Sequence, residues 1–225
     1  MSYNIFLSGG GSAKDTYALD DLFLKTTGKK ILYLPVGLRR TFAGYNDCVA
    51  WFTNMITSHN LSKKISVWID IKNKALEINT NNFDGIYIGG ASDTFRLHNL
   101  LTKNQIYPQL ISFVQQGGLI YGGSGGASIL GKSINYDQKE KEQPKVKENS
   151  ANLCMGYSVF AHLNEKNLDM IRALSDGDVI GIPEGGGCML DSIDRVITYV
   201  GAGNALILSD QFCKILKNNE SVKNI

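Results

Sequence analysis

At 225 residues, 43% hydrophobic and 20% charged, the chain has the size and composition of one large soluble domain, expected over residues 1–225. A formal net charge of +2, with no Lys/Arg block joined to an aromatic stripe, argues against a nucleic-acid partner. No apolar run approaches the ~18 residues of a membrane span, and Met1-Ser2-Tyr3-Asn4 opens no basic-then-apolar leader, so a cytoplasmic protein without a membrane partner is expected.

Short apolar runs bounded by Gly, Asn, Asp or Pro predict buried strands at 5–7, 31–34, 65–69, 85–88 and 119–121. Helical spacing fills the intervals, at 12–24, 45–56, 93–101 and 108–116. Such alternation predicts an α/β fold: three layers, with a mostly parallel twisted sheet and helices on both faces. From Tyr157 onward, strands are expected at 157–160, 179–182 and 196–200, with a helix over 165–174. This tail is placed to add antiparallel strands at one sheet edge. Residues 137–150 (DQKEKEQPKVKENS) are charged and apolar-poor, and read as a solvated loop or as a lid over a site. Cys48, Cys154, Cys188 and Cys213 form no C-x-x-C pair. They are expected to be reduced, mostly buried thiols, with no metal site.

The stretch Tyr121-Gly122-Gly123-Ser124-Gly125-Gly126-Ala127 joins an apolar strand to an apolar helical pattern. It fits G-x-S-x-G, in which a serine on a strained strand-to-helix turn is lifted out of the sheet. The small neighbours let the turn pass close to adjacent elements, and the amide of Gly125 is positioned for an oxyanion. The helix that follows is expected to add positive potential at its N-terminus. A glycine turn with a serine N-cap and a phosphate cradle are the other readings of these residues.

A serine hydroxyl needs a base, and there are three histidines to choose from. His98 sits in a helical pattern and reads as a packing or surface residue. His59 falls at a helix end, where a cation is favourable. His162 follows the strand at 157–160, and sites in open α/β sheets form at the carboxyl ends of strands, which favours it. Glu184 closes the strand at 179–182 and meets three glycines. It is placed either as a turn carboxylate or as the group that orients His162. Gly90, in Ile88-Gly89-Gly90-Ala91-Ser92-Asp93, is a candidate for the second oxyanion donor, or part of a plain turn before a helix capped by Ser92 or Asp93.

With these residues in view, the chain resembles the peptidase E family, the S51 serine peptidases. The family's Gly-Gly-Gly-Asn-Thr-Phe-x-Leu is similar to Gly89-Gly90-Ala91-Ser92-Asp93-Thr94-Phe95-Arg96-Leu97, with one residue inserted. Its Gly-x-Ser-Ala-Gly-Ala is similar to Gly122 through Ala127, its Asn-Pro-His to Phe160-Ala161-His162, and its Ile-Gly-Leu-Pro-Glu-Gly to Ile180 through Gly185. The resemblance implies a flavodoxin-like sheet related to class I glutamine amidotransferases. It also implies a cytoplasmic exopeptidase needing no metal or cofactor, with Ser124, His162 and Glu184 as catalytic residues and Gly90 and Gly125 as oxyanion donors.

Three positions depart from the pattern. Gly125 stands where the family has alanine, which keeps the amide but loosens the turn. Ala161 replaces proline. The aspartyl dipeptidases carry Thr-Arg-Glu after the histidine, whereas here the matching position lies near Asn167. The expected substrate is therefore a small peptide of unassigned residue preference, hydrolysed through an acyl-enzyme. A non-catalytic ligand- or partner-binding module, and a cyanophycinase-like peptidase or esterase, are the alternatives. A homodimer is expected only because isologous dimers are common.

Overall fold

The computed structural model describes residues 3–38, 42–134, 148–168, 171 and 177–223. The five early apolar runs are strands: β1 (Ile5–Ser8), β2 (Lys30–Leu34), β3 (Lys64–Val67), β4 (Gly85–Ile88) and β5 (Leu119–Gly123). Helices α1 (Tyr17–Thr26), α2 (Phe42–Ser58), α3 (Thr94–Lys103), α4 (Ile106–Gln115) and the single turn α5 (Gly125–Ser128) accompany them. Then come β6 (Ser133–Ile134), β7 (Glu148–Asn149), β8 (Ser158–Leu163), β9 (Val179–Pro183), β10 (Gly186–Asp191), β11 (Val196–Gly201), β12 (Ala205–Leu208), β13 (Cys213–Leu216) and β14 (Ser221–Lys223).

The main sheet has eight strands in the order β14-β11-β10-β1-β5-β4-β2-β3. Its β1, β5, β4, β2 and β3 are parallel, and β10, β11 and β14 continue it antiparallel at one edge, as the tail pattern suggested. Successive side chains alternate between two cores. Ile5, Leu7, Leu32, Leu34, Ile86, Ile88 and Ile120 enter one, together with Leu97 of α3 and Leu110 of α4. Phe6, Ile31, Tyr33, Tyr87 and Tyr121 enter the other, against Phe23 of α1 and Phe52 of α2. Both faces are thus apolar, which is why these strands read as continuous hydrophobic runs.

A second sheet, β13-β12-β9-β8, was not expected. In it β8 and β9 pair parallel, and β12 pairs antiparallel with β9 and β13. The tail therefore divides, with β10, β11 and β14 extending the main sheet and the other strands forming their own. The strand β10 was also missed, because Gly185-Gly186-Gly187 reads as a turn. Only Glu184 and Gly185 turn; Gly186 and Gly187 are ladder residues. A side chain at Gly187 would overlap Leu19 of α1, with a Cβ 2.3 Å from Leu19 Cδ2.

Other boundaries shift for local reasons. Helix α1 starts at Tyr17 rather than Ser12, since the amides of Asp15 and Thr16 donate to the Ser12 carbonyl in a separate turn. Asp93, not Ser92, caps α3: its Oδ1 accepts from the Arg96 amide at 2.8 Å. Over the helix expected at 165–174, a 3-10 turn spans Glu165–Asn167, capped by Asn164; residues 169–170 and 172–176 lie outside the described residues. Of the charged loop at 137–150, residues 148–149 form β7 and 137–147 lie outside the description. Among the described residues, no helix is long and apolar enough to cross a membrane.

Candidate active site

Ser124 sits between β5 and α5 with φ 51° and ψ −116°. A non-glycine residue there stores about 1–3 kcal/mol of backbone strain, kept only where the surroundings over-determine it. The surroundings here are tight. A Cβ on Gly122 would lie 2.5 Å from the Gly126 carbonyl oxygen, and one on Gly126 would lie 2.4 Å from that of Ile88. The Ser124 amide donates to the Ser8 carbonyl at 3.0 Å, and the Ser124 carbonyl accepts from Ala127 and Ser128. These contacts hold the turn and leave the hydroxyl above the sheet.

The helix after Ser124 is only one turn, shorter than its apolar pattern suggests. A Cβ at Gly131 would meet the Val159 amide nitrogen at 2.8 Å, so the chain stops helical progress where it crosses β8. The macrodipole expected there has too few peptides to sum, leaving individual amides as the source of positive potential.

His162 and Glu184 come from the second sheet. His162 lies inside β8 rather than after it. The register with β9 slips between Ala161 and Leu163, so His162 is a bulge residue, and its φ is 57°. Bulges re-aim a side chain that would otherwise follow the strand's alternation. Here the ring turns toward the main sheet, and its Nε2 is 2.6 Å from Ser124 Oγ. Its Nδ1 is 2.6 Å from Oε1 of Glu184. Glu184 occupies the two-residue turn by which the chain leaves β9 and joins β10 in the other sheet. Its side chain is 66% exposed, so solvent screens its charge.

One loop that the sequence reading passed over registers all three residues. The segment Gly9-Gly10-Gly11 follows β1, and successive carbonyls serve successive partners. Ser8 O accepts from the Ser124 amide (3.0 Å), Gly9 O from the His162 amide (3.0 Å), and Gly10 O from the Gly185 amide (2.9 Å). The Gly10 amide itself donates to Ser8 Oγ at 3.1 Å. Gly10 has φ 101°, and a Cβ there would lie 2.5 Å from Cε1 of His162. A Cβ at Gly9 would lie 2.0 Å from the Pro183 carbonyl oxygen. The available signal was a strand running into a glycine run, the same signal used at Gly89-Gly90 and Gly122-Gly123.

Gly90 closes the other side of the serine. A Cβ built on it would be 3.7 Å from Ser124 Cβ, and its own nitrogen lies 3.9 Å from the Cβ position of Gly123. Neither the Gly90 nor the Gly125 amide is hydrogen-bonded within the described structure. Gly125 does not loosen the turn. A methyl group there would meet Ala91 Cβ at 2.8 Å and Ala91 N at 3.1 Å. The Ala91 methyl, reaching from across the loop, takes up the space a side chain at 125 would fill. Ala161, in place of proline, is buried and paired with Ile182.

A cavity of about 520 Å³ opens beside Ser124 and His162. Under it, Tyr121 Oη donates to Asp20 Oδ1 and Thr16 Oγ1 to Oδ2, both at 2.7 Å. Asp20 is 0% exposed, and burial raises its carboxyl above the ordinary value, with the hydrogen bonds from Tyr121 and Thr16 offsetting part of the rise. Burial likewise raises the hydroxyls of Tyr121 and Tyr87 far above theirs.

The other histidines are elsewhere. His98 is buried on α3, with Nδ1 2.9 Å from Tyr107 Oη and Nε2 2.9 Å from Glu148. His59 follows the end of α2, stacks on Tyr17, and places Nδ1 3.2 Å from Asp21. Cys48, Cys154 and Cys188 are buried and Cys213 is exposed, all as free thiols. Among the described residues, no group of three His, Cys, Asp or Glu side chains is placed to hold a metal ion.

The architecture is similar to that of a peptidase from an acI-B1 Actinobacterium. The TM-score is 0.79 at 16% identity, covering 100% of this chain and 98% of that one. It is also similar to a candidate peptidase E protein from Listeria monocytogenes EGD-e, with TM-score 0.62 at 20% identity, covering 89% and 99%. At these identities the likeness establishes the fold. No curated protein matches the chain in sequence. The model of peptidase family S51 matches residues 5–193, the whole span from β1 to β10. The chain therefore belongs to peptidase family S51 and is a peptidase of the serine exopeptidase type.

Proposed function

We propose that the protein hydrolyses small peptides through a Ser124–His162–Glu184 triad and an acyl-enzyme. The supporting observation is the unbroken relay, 2.6 Å from Ser124 Oγ to His162 Nε2 and 2.6 Å from His162 Nδ1 to Glu184 Oε1. In the tautomer this relay requires, Nδ1–H donates to the carboxylate and Nε2 accepts from the serine hydroxyl. Ser124 Oγ attacks the peptide carbonyl while its proton passes to Nε2. The charge that develops on the carbonyl oxygen is met by the amides of Gly90 and Gly125. The imidazolium, held by Glu184, returns the proton to the departing amine as the C–N bond breaks. Water, deprotonated by the same nitrogen, then cleaves the ester and restores Ser124.

A fluorophosphonate probe tests this reading. It is expected to label the parent protein and to fail with Ser124→Ala and His162→Ala. A folded parent that resists labelling would overturn it.

A further inference from the structure

The cavity beside the triad carries information about the substrate that the family motif does not. One wall is aromatic and apolar: Tyr33, Leu38, Trp51 and Tyr87, with Cys48 between them. The wall is rigid. Tyr33 stacks on Phe52 at 4.3 Å, Tyr87 stacks on Tyr121 at 4.3 Å, and Trp51 meets Tyr87 edge-on at 6.3 Å. Trp51 is nevertheless 37% exposed, an indole surface turned to solvent on the cavity side of α2. An exposed indole in a concave site next to a reactive group is a recognition feature rather than a packing one.

The charges point the same way. Among the described lining residues, Asp47 is the sole carboxylate, His162 the sole other ionisable group of the acid–base range, and no Lys or Arg is present. An acidic side chain entering here would face the Asp47 carboxylate. An aromatic or large aliphatic side chain would cover the exposed face of Trp51, beside Tyr33 and Tyr87, which are already buried.

The geometry points to a specificity site. We infer that this cavity takes a large apolar, preferably aromatic, side chain of the peptide residue next to the scissile bond, and disfavours aspartate. This rests on the proposed function for where the scissile bond lies, but the side-chain preference is a binding property that can be read without turnover.

The test uses Ser124→Ala protein and calorimetric titration with four dipeptides: Phe-Ala, Ala-Phe, Asp-Ala and Ala-Ala. Burying a phenyl ring against the wall should make one of the two Phe peptides on the order of tenfold tighter than Ala-Ala. Asp-Ala should bind no better than Ala-Ala. Adding Trp51→Ala should reduce the Phe-to-Ala ratio toward one; a ratio is insensitive to the active fraction of each preparation. Equal affinities for all four, tightest binding of Asp-Ala, or a ratio unchanged by the Trp51 substitution would each overturn the inference. Labelling of the parent by the fluorophosphonate is scored separately. Labelling with no Phe preference sinks the specificity site alone, whereas a Phe preference without labelling sinks the triad chemistry alone.

Discussion

Gly10→Ala should disable the base while leaving the fold standing. The added Cβ would sit 2.5 Å from His162 Cε1 and 3.1 Å from each ring nitrogen. Carbon atoms in contact need about 3.5 Å, so the ring or the loop must yield by about 1 Å. Equal distances to Nδ1 and Nε2 mean that both nitrogens are displaced alike. Two hydrogen bonds of 2.6 Å would then lengthen to about 3 Å each and be bent off their partners. A misplacement of this size costs about 100-fold in kcat. The variant also forces alanine to φ 101°, with a stability cost of about 1–2 kcal/mol. Gly117→Ala separates the two effects: its φ is 88°, and a Cβ there meets nothing within 4 Å. Steady-state hydrolysis and urea melts of both variants are the assay. Both should lose similar stability, and only Gly10→Ala should lose activity. Gly10→Ala with activity within threefold of the parent would refute the reasoning.

Three further outcomes are expected. Gly125→Ala should lower kcat/KM by about tenfold through its 2.8 Å clash with Ala91, and Ala91→Gly in the same protein should restore most of it. A double-mutant cycle with no coupling would refute the exchange of methyl groups. Asp20 is expected to make the fold weaken as pH rises. Its folded carboxyl holds its proton above the ordinary value of 3.8, so between that value and the folded one the native state binds more protons than the unfolded chain. Stability should therefore fall as pH climbs through that window. Urea midpoints from pH 4 to 7 should show this decline in the parent relative to Asp20→Asn, and parallel profiles would exclude it. Asp93→Ala removes the cap on α3 and should cost about 1 kcal/mol, read as a shift in urea midpoint at unchanged slope.

The main sheet was legible because it is buried on both faces. Runs such as Ile86-Tyr87-Ile88 need no partner to be recognised, since every residue in them is apolar whichever core it enters. The turn around Ser124 was legible for a related reason: Gly122 is demanded by the Gly126 carbonyl within the same turn, so that cause and its signature lie within five residues, whereas Gly126 is demanded by the Ile88 carbonyl of the neighbouring strand. His162 and Glu184 followed from strand ends and from the motif resemblance.

What the chain alone did not reveal depends on contacts distant in sequence. The division of the tail into two sheets is set by which strand β10 meets, and β10 pairs with β1 across some 180 residues of chain. That pairing brings Gly9, Gly10 and Gly11 between the serine of one sheet and the histidine of the other. A glycine run records only that side chains are excluded, not by what. The bulge that aims His162 is likewise a slip of one residue between β8 and β9, invisible without the partner strand. Glycine at 125 reads as slack in the sequence because Ala91, whose methyl takes up that space, is 34 residues away. The residue types of this protein thus announced a glycine-bounded serine turn and the histidine and glutamate that meet it. The tertiary structure decided how they are held, because the holding is done by backbone carbonyls that every residue carries.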